Sequence, residues 1–147
     1  MQAQPTGGYA GQGRYAAAWA LQNLGQFDKA LAAYREIADG GRSELAARAR
    51  LMEGEVLFEQ GNHKDAVKAF FKVAYGFGEQ QAPAAFHPWQ AQATFEAARC
   101  FEVLGKADQA AKLYAEMVER YPDSQQAPAA RKRLDALGAA GGLKKAS

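Results

Sequence analysis

Few side chains in this 147-residue chain could do covalent or metal chemistry: two histidines, His63 and His87, and one cysteine, Cys100. A thiol nucleophile needs a base beside it, and a metal needs several ligands at close spacing. Neither histidine has a second ligand at such spacing, and Cys100 has no Cys or His nearby in sequence. Cys100 falls within an apolar helical pattern, which predicts a buried, inert thiol. His63 opens a helix and reads as structural. His87 precedes Pro88 and reads as a cap or surface residue. No glycine-rich phosphate loop with its lysine is present. The expectation is no catalytic residue, no metal and no cofactor. An enzyme pairing Cys100 with a histidine would need tertiary proximity that spacing does not show.

Charge excludes further classes. The net charge is +2, too small for a global field that selects nucleic acid or an anionic membrane. Arg131, Lys132, Arg133, Lys144 and Lys145 make one end basic, but Asp135 interrupts it and no stacking aromatics are interleaved. This end reads as a solvated face, with no nucleic-acid partner. No apolar run approaches the ~20 residues of a membrane helix, so no membrane insertion is expected. Met1–Arg14 lacks the apolar core of a signal peptide. A single cysteine excludes an internal disulfide and leaves the compartment open.

The informative pattern is structural. Gly54, Leu57, Gly61, Ala66 and Phe70 form a phrase that occurs three times. Ala18, Leu21, Gly25, Ala30 and Tyr34 precede it; Ala98, Phe101, Gly105, Ala110 and Tyr114 follow. A small residue lets another helix approach, a glycine makes the turn, and an alanine and an aromatic four apart share one face of the second helix. Three copies in phase predict stacked helix pairs. The expected bounds are a flexible segment over 1–13 and a repeat domain over 14–137. Within it lie repeats at about 14–42, 43–76 and 88–122 and a capping helix over 124–137. A disordered tail over 138–147 follows. Ser43 and Ser124 are candidate N-caps. The third repeat starts late, because the interval from Gly61 to Gly105 exceeds that from Gly25 to Gly61 by eight residues. The extra length falls in 77–88. Two readings stand for it: a loop whose aromatics cover the core edge, or a partner-binding loop using Phe77, Phe86 and Trp89.

The phrase resembles the tetratricopeptide repeat (TPR) over residues 14–137. Pro122 supplies the closing proline in the third unit alone. The family's Leu-Gly pair is missing: Glu53 precedes Gly54, and Ala17 and Ala97 hold the equivalent places. The resemblance implies an all-α, right-handed superhelical solenoid of three helix-turn-helix pairs plus a C-terminal capping helix. The ending Tyr121-Pro-Asp-Ser124, with Ala127, Ala130, Arg133, Leu134 and Leu137, is similar to bacterial cell-envelope TPR proteins, the Tol–Pal-associated periplasmic protein and the β-barrel assembly lipoproteins. That similarity implies an envelope adaptor, periplasmic or envelope-associated; the alternative compartment is cytoplasmic.

The resemblance also implies that the first helix of each pair lines a concave groove. Spacing then assigns Tyr15, Trp19 and Gln22 from the first unit, and Arg48, Leu51, Glu55, Phe58 and Glu59 from the second. Gln92, Phe95, Glu96, Arg99 and Glu102 come from the third. Aromatic anchors beside fixed charges suit a peptide or partner helix. Trp19 and Arg99 are the preferred anchors, since Trp and Arg predominate among binding hot spots. Tyr15 and Trp19 stand where some TPR grooves carry paired Lys and Asn for a terminal carboxylate, so no clamp of that type is expected. The function expected is a non-catalytic protein-interaction scaffold. The alternative is a self-assembling structural protein joined through stack ends or the 77–88 loop.

Overall fold

A computed structural model describes the backbone of residues 8–146 and the side chains of residues 11–138 apart from that of Gln80. Seven α-helices follow one another among the described residues: α1 (Gly8–Asn23), α2 (Phe27–Asp39), α3 (Glu44–Glu59), α4 (His63–Ala74), α5 (His87–Val103), α6 (Ala107–Arg120) and α7 (Ala127–Ala146). Each packs on the next. The first helices of successive pairs, α1 on α3 and α3 on α5, also touch. This is a helical solenoid with α1, α3 and α5 forming one layer.

The repeated phrase explains the stack. Gly25, Gly61 and Gly105 take φ of +76°, +81° and +77°. At each, the following residue's amide reaches back to close the helix: Gln26 N–H to Leu21 O at 2.9 Å, Asn62 to Leu57 and Lys106 to Phe101 at 2.8 Å. The glycine amides bond to Gln22, Phe58 and Glu102. These are three Schellman turns, and they need a residue that accepts the left-handed conformation. Ala18, Ala30, Ala66, Ala98 and Ala110 are wholly buried, as are the partner aromatics Tyr34, Phe70 and Tyr114. Ser43 caps α3 as expected, its Oγ accepting from Ala46 N–H at 3.1 Å.

Four local expectations change. Residues 8–13 are helical rather than flexible, while 1–7 lie outside the described residues. Glycine disfavours a helix by roughly 1 kcal/mol each, but here Gly11 lies against α3. A Cβ at Gly11 would meet Leu45 Cδ2 at 2.6 Å, so a larger residue there would require the Leu45 side chain to shift. At the other end α7 continues through Gly138 to Ala146, where a stop and a disordered tail were expected. Gly138 has open space around it and is flanked by alanine and leucine, good helix formers. Ser124 does not cap α7 with its side chain. Its hydroxyl donates to Tyr121 O at 2.8 Å, and α7 starts only at Ala127. The basic face of α7 is not wholly solvated either, since Arg133 pairs with Glu102 of α5.

The inserted stretch is ordered by one polar residue. Phe77, Gly78 and Glu79 all have positive φ (57°, 92° and 52°), and short 3₁₀ turns follow at Glu79–Gln81 and Ala84–Phe86. The fully buried Gln90 side chain donates to Gly76 O at 3.3 Å and Glu79 O at 3.0 Å, holding down the two ends of this left-handed run. Two non-glycine residues in that region cost roughly 1 kcal/mol or more each, and these bonds help offset it. Phe77 and Phe86 face each other at 5.2 Å, with Arg42 over the Phe77 ring.

Candidate functional site

The α1–α3–α5 layer brings together most of the residues that spacing assigned to a groove. Trp19 stands 54% exposed and lines a hollow of about 370 Å³ with Tyr15, Ala16, Arg48 and Met52. Phe58 and Phe95 line a second hollow of about 440 Å³ with Arg99, Glu102, Val103 and Tyr114. Tyr15 packs edge-on against Tyr34 at 5.6 Å, and Phe95 packs the same way against Tyr114 at 5.6 Å. The buried tyrosines of α2 and α6 therefore hold the groove aromatics of α1 and α5 in matching poses.

Polar residues along the groove are largely paired. Tyr34 donates its hydroxyl to Gln22 Oε1 at 2.9 Å, and Gln22 donates to Glu59. Tyr114 donates to Glu102 Oε2 at 2.7 Å, while Arg133 reaches Glu102 from α7 with two nitrogens. Arg133 beside it holds the Glu102 carboxyl below the usual range. Arg99 bonds to Glu96, and its guanidinium lies 5.0 Å from the Phe58 ring centroid. Arg99 is thus engaged from two sides.

Three expectations for individual residues are corrected. Leu51 is only 2% exposed and belongs to the core cluster shared by the neighbouring helices. Gln92 faces a separate hollow of about 640 Å³ between the start of α5 and the α6–α7 connection, with His87, Trp89 and Tyr121. Trp89 does not group with Phe77 and Phe86. Its indole donates to Glu44 Oε2 at 2.8 Å, and its ring lies against Arg48 of the groove.

Spacing also missed residues. Met52 and Val103 line the hollows, and Val103 is 57% exposed. Met52 and Val103 each sit one residue after an assigned position, a signal that widening the predicted face by one residue would have caught. Ala129, Lys132 and Arg133 of α7 join the second hollow, which a reading of α7 as a lid alone does not anticipate.

At the centre of the layer, Glu55 of α3 and Glu96 of α5 share the single cation Arg99. Burial, then the Glu96 charge, pushes the Glu55 carboxyl up to about 7, against the pull of Arg99. Burial likewise raises Glu96. A carboxyl raised on folding binds its proton more tightly in the folded state. Its stabilising protonation is complete below the ordinary carboxylate range and is lost as pH rises through the raised value. Stability against thermal unfolding should therefore fall from pH 5 to pH 8, by the equivalent of about 1–2 kcal/mol. Glu55→Gln should flatten that slope. An unchanged slope in Glu55→Gln would show that the pair does not hold the proton.

The other titratable candidates are accounted for structurally. His63 packs edge-on against Phe58 at 4.6 Å, and His87 Nε2 lies 3.1 Å from Ala82 O. Cys100 is wholly buried, and burial pushes its thiol up to about 12. No cluster of three metal-ligating side chains occurs among the described residues, and no described helix is long and apolar enough to cross a membrane.

A stack of helix pairs with Schellman turns in register, presenting a layer of first helices lined by aromatics, defines an α-helical repeat scaffold. Tetratricopeptide repeat profiles match residues 15–86 and 92–124. The chain belongs to the tetratricopeptide repeat family. No curated protein sequence matches it significantly. Among solved structures it is similar to PcrH from Pseudomonas aeruginosa, with 17% identity, a TM-score of 0.74, and 92% of this chain and 96% of PcrH covered. It is also similar to the Yersinia enterocolitica type III secretion chaperone SycD, solved in complex with a peptide of the translocator YopD. There the identity is 16%, the TM-score 0.69, and the coverage 97% and 99%. A putative kinesin light chain from Podosopora anserina matches with 16% identity and a TM-score of 0.66, covering 89% of this chain and 66% of that one. At these identities the likeness is one of fold.

Proposed function

We propose that this protein binds an unfolded or extended segment of a partner protein along the α1–α3–α5 layer. The observation that carries this reading is the exposed Trp19 in a part-apolar hollow, on a face where a second such hollow is lined by Phe58 and Phe95 and most polar side chains are tied to one another. A large exposed aromatic on a rigid scaffold is a binding anchor in the making. The similar fold of SycD, solved with a bound peptide, supports the same reading. The adaptor role in a bacterial envelope complex rests on the Tyr121-Pro-Asp-Ser124 ending, and none of the similar structures adds support to it. None of the similar structures adds support to self-assembly.

The test is binding of a fluorescent peptide library to wild type and to Trp19→Ala. Because Trp19 is half exposed, its removal should leave thermal unfolding within about 0.5 kcal/mol of wild type while weakening peptide binding about tenfold or more. Unchanged binding by Trp19→Ala would overturn the groove assignment. Arg99→Glu is the poorer probe: it would place a third carboxylate beside Glu55 and Glu96 and disturb the fold itself.

A further inference from the structure

Arg48 differs from the other arginines of this region. Arg35 and Arg50 bond to Glu53, Arg50 also to Asp39, Arg99 to Glu96 and Arg133 to Glu102. No carboxylate among the described residues lies within ion-pair distance of Arg48. Its guanidinium instead lies against two rings, 4.8 Å from the Tyr15 centroid and 5.0 Å from that of Trp89. Its Nε is buried without a hydrogen-bond partner. The cluster comes from three helices, because Tyr15 lies on α1, Arg48 on α3 and Trp89 on α5. Trp89 is itself fixed by Glu44.

Such a guanidinium is pre-organised. Two rings hold it in place, and the edge of a guanidinium matches the two oxygens of a carboxylate. Stacking on aromatics fixes the plane before the ligand arrives, which lowers the entropy lost on binding. Arg48 also lies between two hollows. One of about 370 Å³ holds Trp19 and Met52; the other, about 380 Å³, runs toward Gly41, Ser43 and Leu45 and is also lined by Arg14, Glu36 and Glu44, of which Glu44 is engaged by the Trp89 indole. A chain crossing Arg48 has room on both sides, which suits an internal acidic residue rather than a chain end.

We infer that Arg48 is a carboxylate-reading subsite of the groove, taking an Asp or Glu side chain from a segment that also seats an apolar side chain against Trp19 and Met52. The inference rests on the groove reading above. Charge fixes the register of such a segment. Seven residues further along α3, roughly 10 Å away, Glu55 and Glu96 share one arginine. There Arg99 is already engaged by Glu96, so an acidic residue gains more at Arg48, which no described carboxylate pairs.

The experiment uses two pools of fluorescein-labelled dodecapeptides, acetylated and amidated, with a fixed Leu flanked by either Glu or Gln. Their affinities are measured for wild type, Arg48→Gln, Arg48→Lys and Trp19→Ala, each checked by thermal unfolding. A third pool carries the Gln sequence with a free terminal carboxylate. The Glu pool should bind wild type about tenfold more tightly than the Gln pool. That preference should vanish in Arg48→Gln, survive in part in Arg48→Lys, and weaken with added salt. Equal binding of the Glu and Gln pools to wild type would overturn the inference, as would a preference that persists in Arg48→Gln. A gain confined to the free-carboxylate pool would also overturn it. If Trp19→Ala still weakens both pools in those cases, the groove reading stands without Arg48. If neither pool binds, or Trp19→Ala weakens neither, both readings fall together.

Discussion

Glu53→Ala is expected to destabilise the protein by about 3 kcal/mol, read as a lower urea midpoint at unchanged slope. Glu53 stands where the repeat usually has leucine, and its side chain is 8% exposed. Its two oxygens each bond an arginine at 2.8 Å: Oε1 accepts from Arg50 on its own helix and Oε2 from Arg35 on α2. The two arginines are unequal. Arg35 is 47% exposed and would return to water at little cost, whereas Arg50 is 14% exposed and would keep only Asp39 near the surface. Removing one member of a buried pair costs roughly 3–5 kcal/mol, and the retained Asp39 contact argues for the lower end. Replacing both members with apolar groups, as in Glu53→Leu with Arg50→Met, should recover most of the loss, since no charge is then stranded. A loss below about 1 kcal/mol for Glu53→Ala would mean that water screens the pair as it does a surface ion pair.

The next residue should show the opposite of helix propensity. Alanine normally stabilises a helix interior by up to about 1 kcal/mol over glycine. At Gly54 a Cβ would sit 2.5–2.8 Å from three carbons of the Phe70 ring, and Phe70 is wholly buried with nowhere to turn. Overpacking of this kind costs about 1–3 kcal/mol, so Gly54→Ala should lose about 2 kcal/mol net. Gly13→Ala is the matched control, because nothing lies within 4 Å of its Cβ position in α1. It should gain about 0.5–1 kcal/mol. Calorimetry of the two variants decides the matter. A gain in both would mean that α3 and α4 separate easily enough to absorb a methyl group.

Gly54 also illustrates what was legible in the sequence. Its small size, repeated as Ala18 and Ala98, marked where helices close on each other. The turn glycines and the buried Tyr34, Phe70 and Tyr114 followed from the same period. These are local signals, carried by one helix pair at a time. The departures came from contacts between units. Leu51 lies on the predicted face of α3, but it belongs to the core cluster shared by the neighbouring helices. Gly11 weakens α1 on its own, yet its missing Cβ leaves room for the Leu45 side chain. The Arg48 cluster joins residues of three helices, one of them Trp89 beyond the inserted loop, so no spacing within one repeat could place them together. Gln90 was missed because a polar residue in an apolar helix carries no periodic signal. Its importance lies in two backbone carbonyls fourteen and eleven residues earlier.

Cys100 is the chain's only cysteine and sits in the last turn of α5, in the third helix pair, with no exposed surface. With its thiol raised to about 12, native-state reaction with a disulfide reagent requires the stack to open first. The labelling rate, divided by that of the unfolded chain, then reads the opening equilibrium when closing outpaces the chemistry. The molecule thus carries a built-in clock for its own cooperativity. If adjacent repeats melt as one unit, that free energy equals the global stability; if the third pair opens alone, it is smaller.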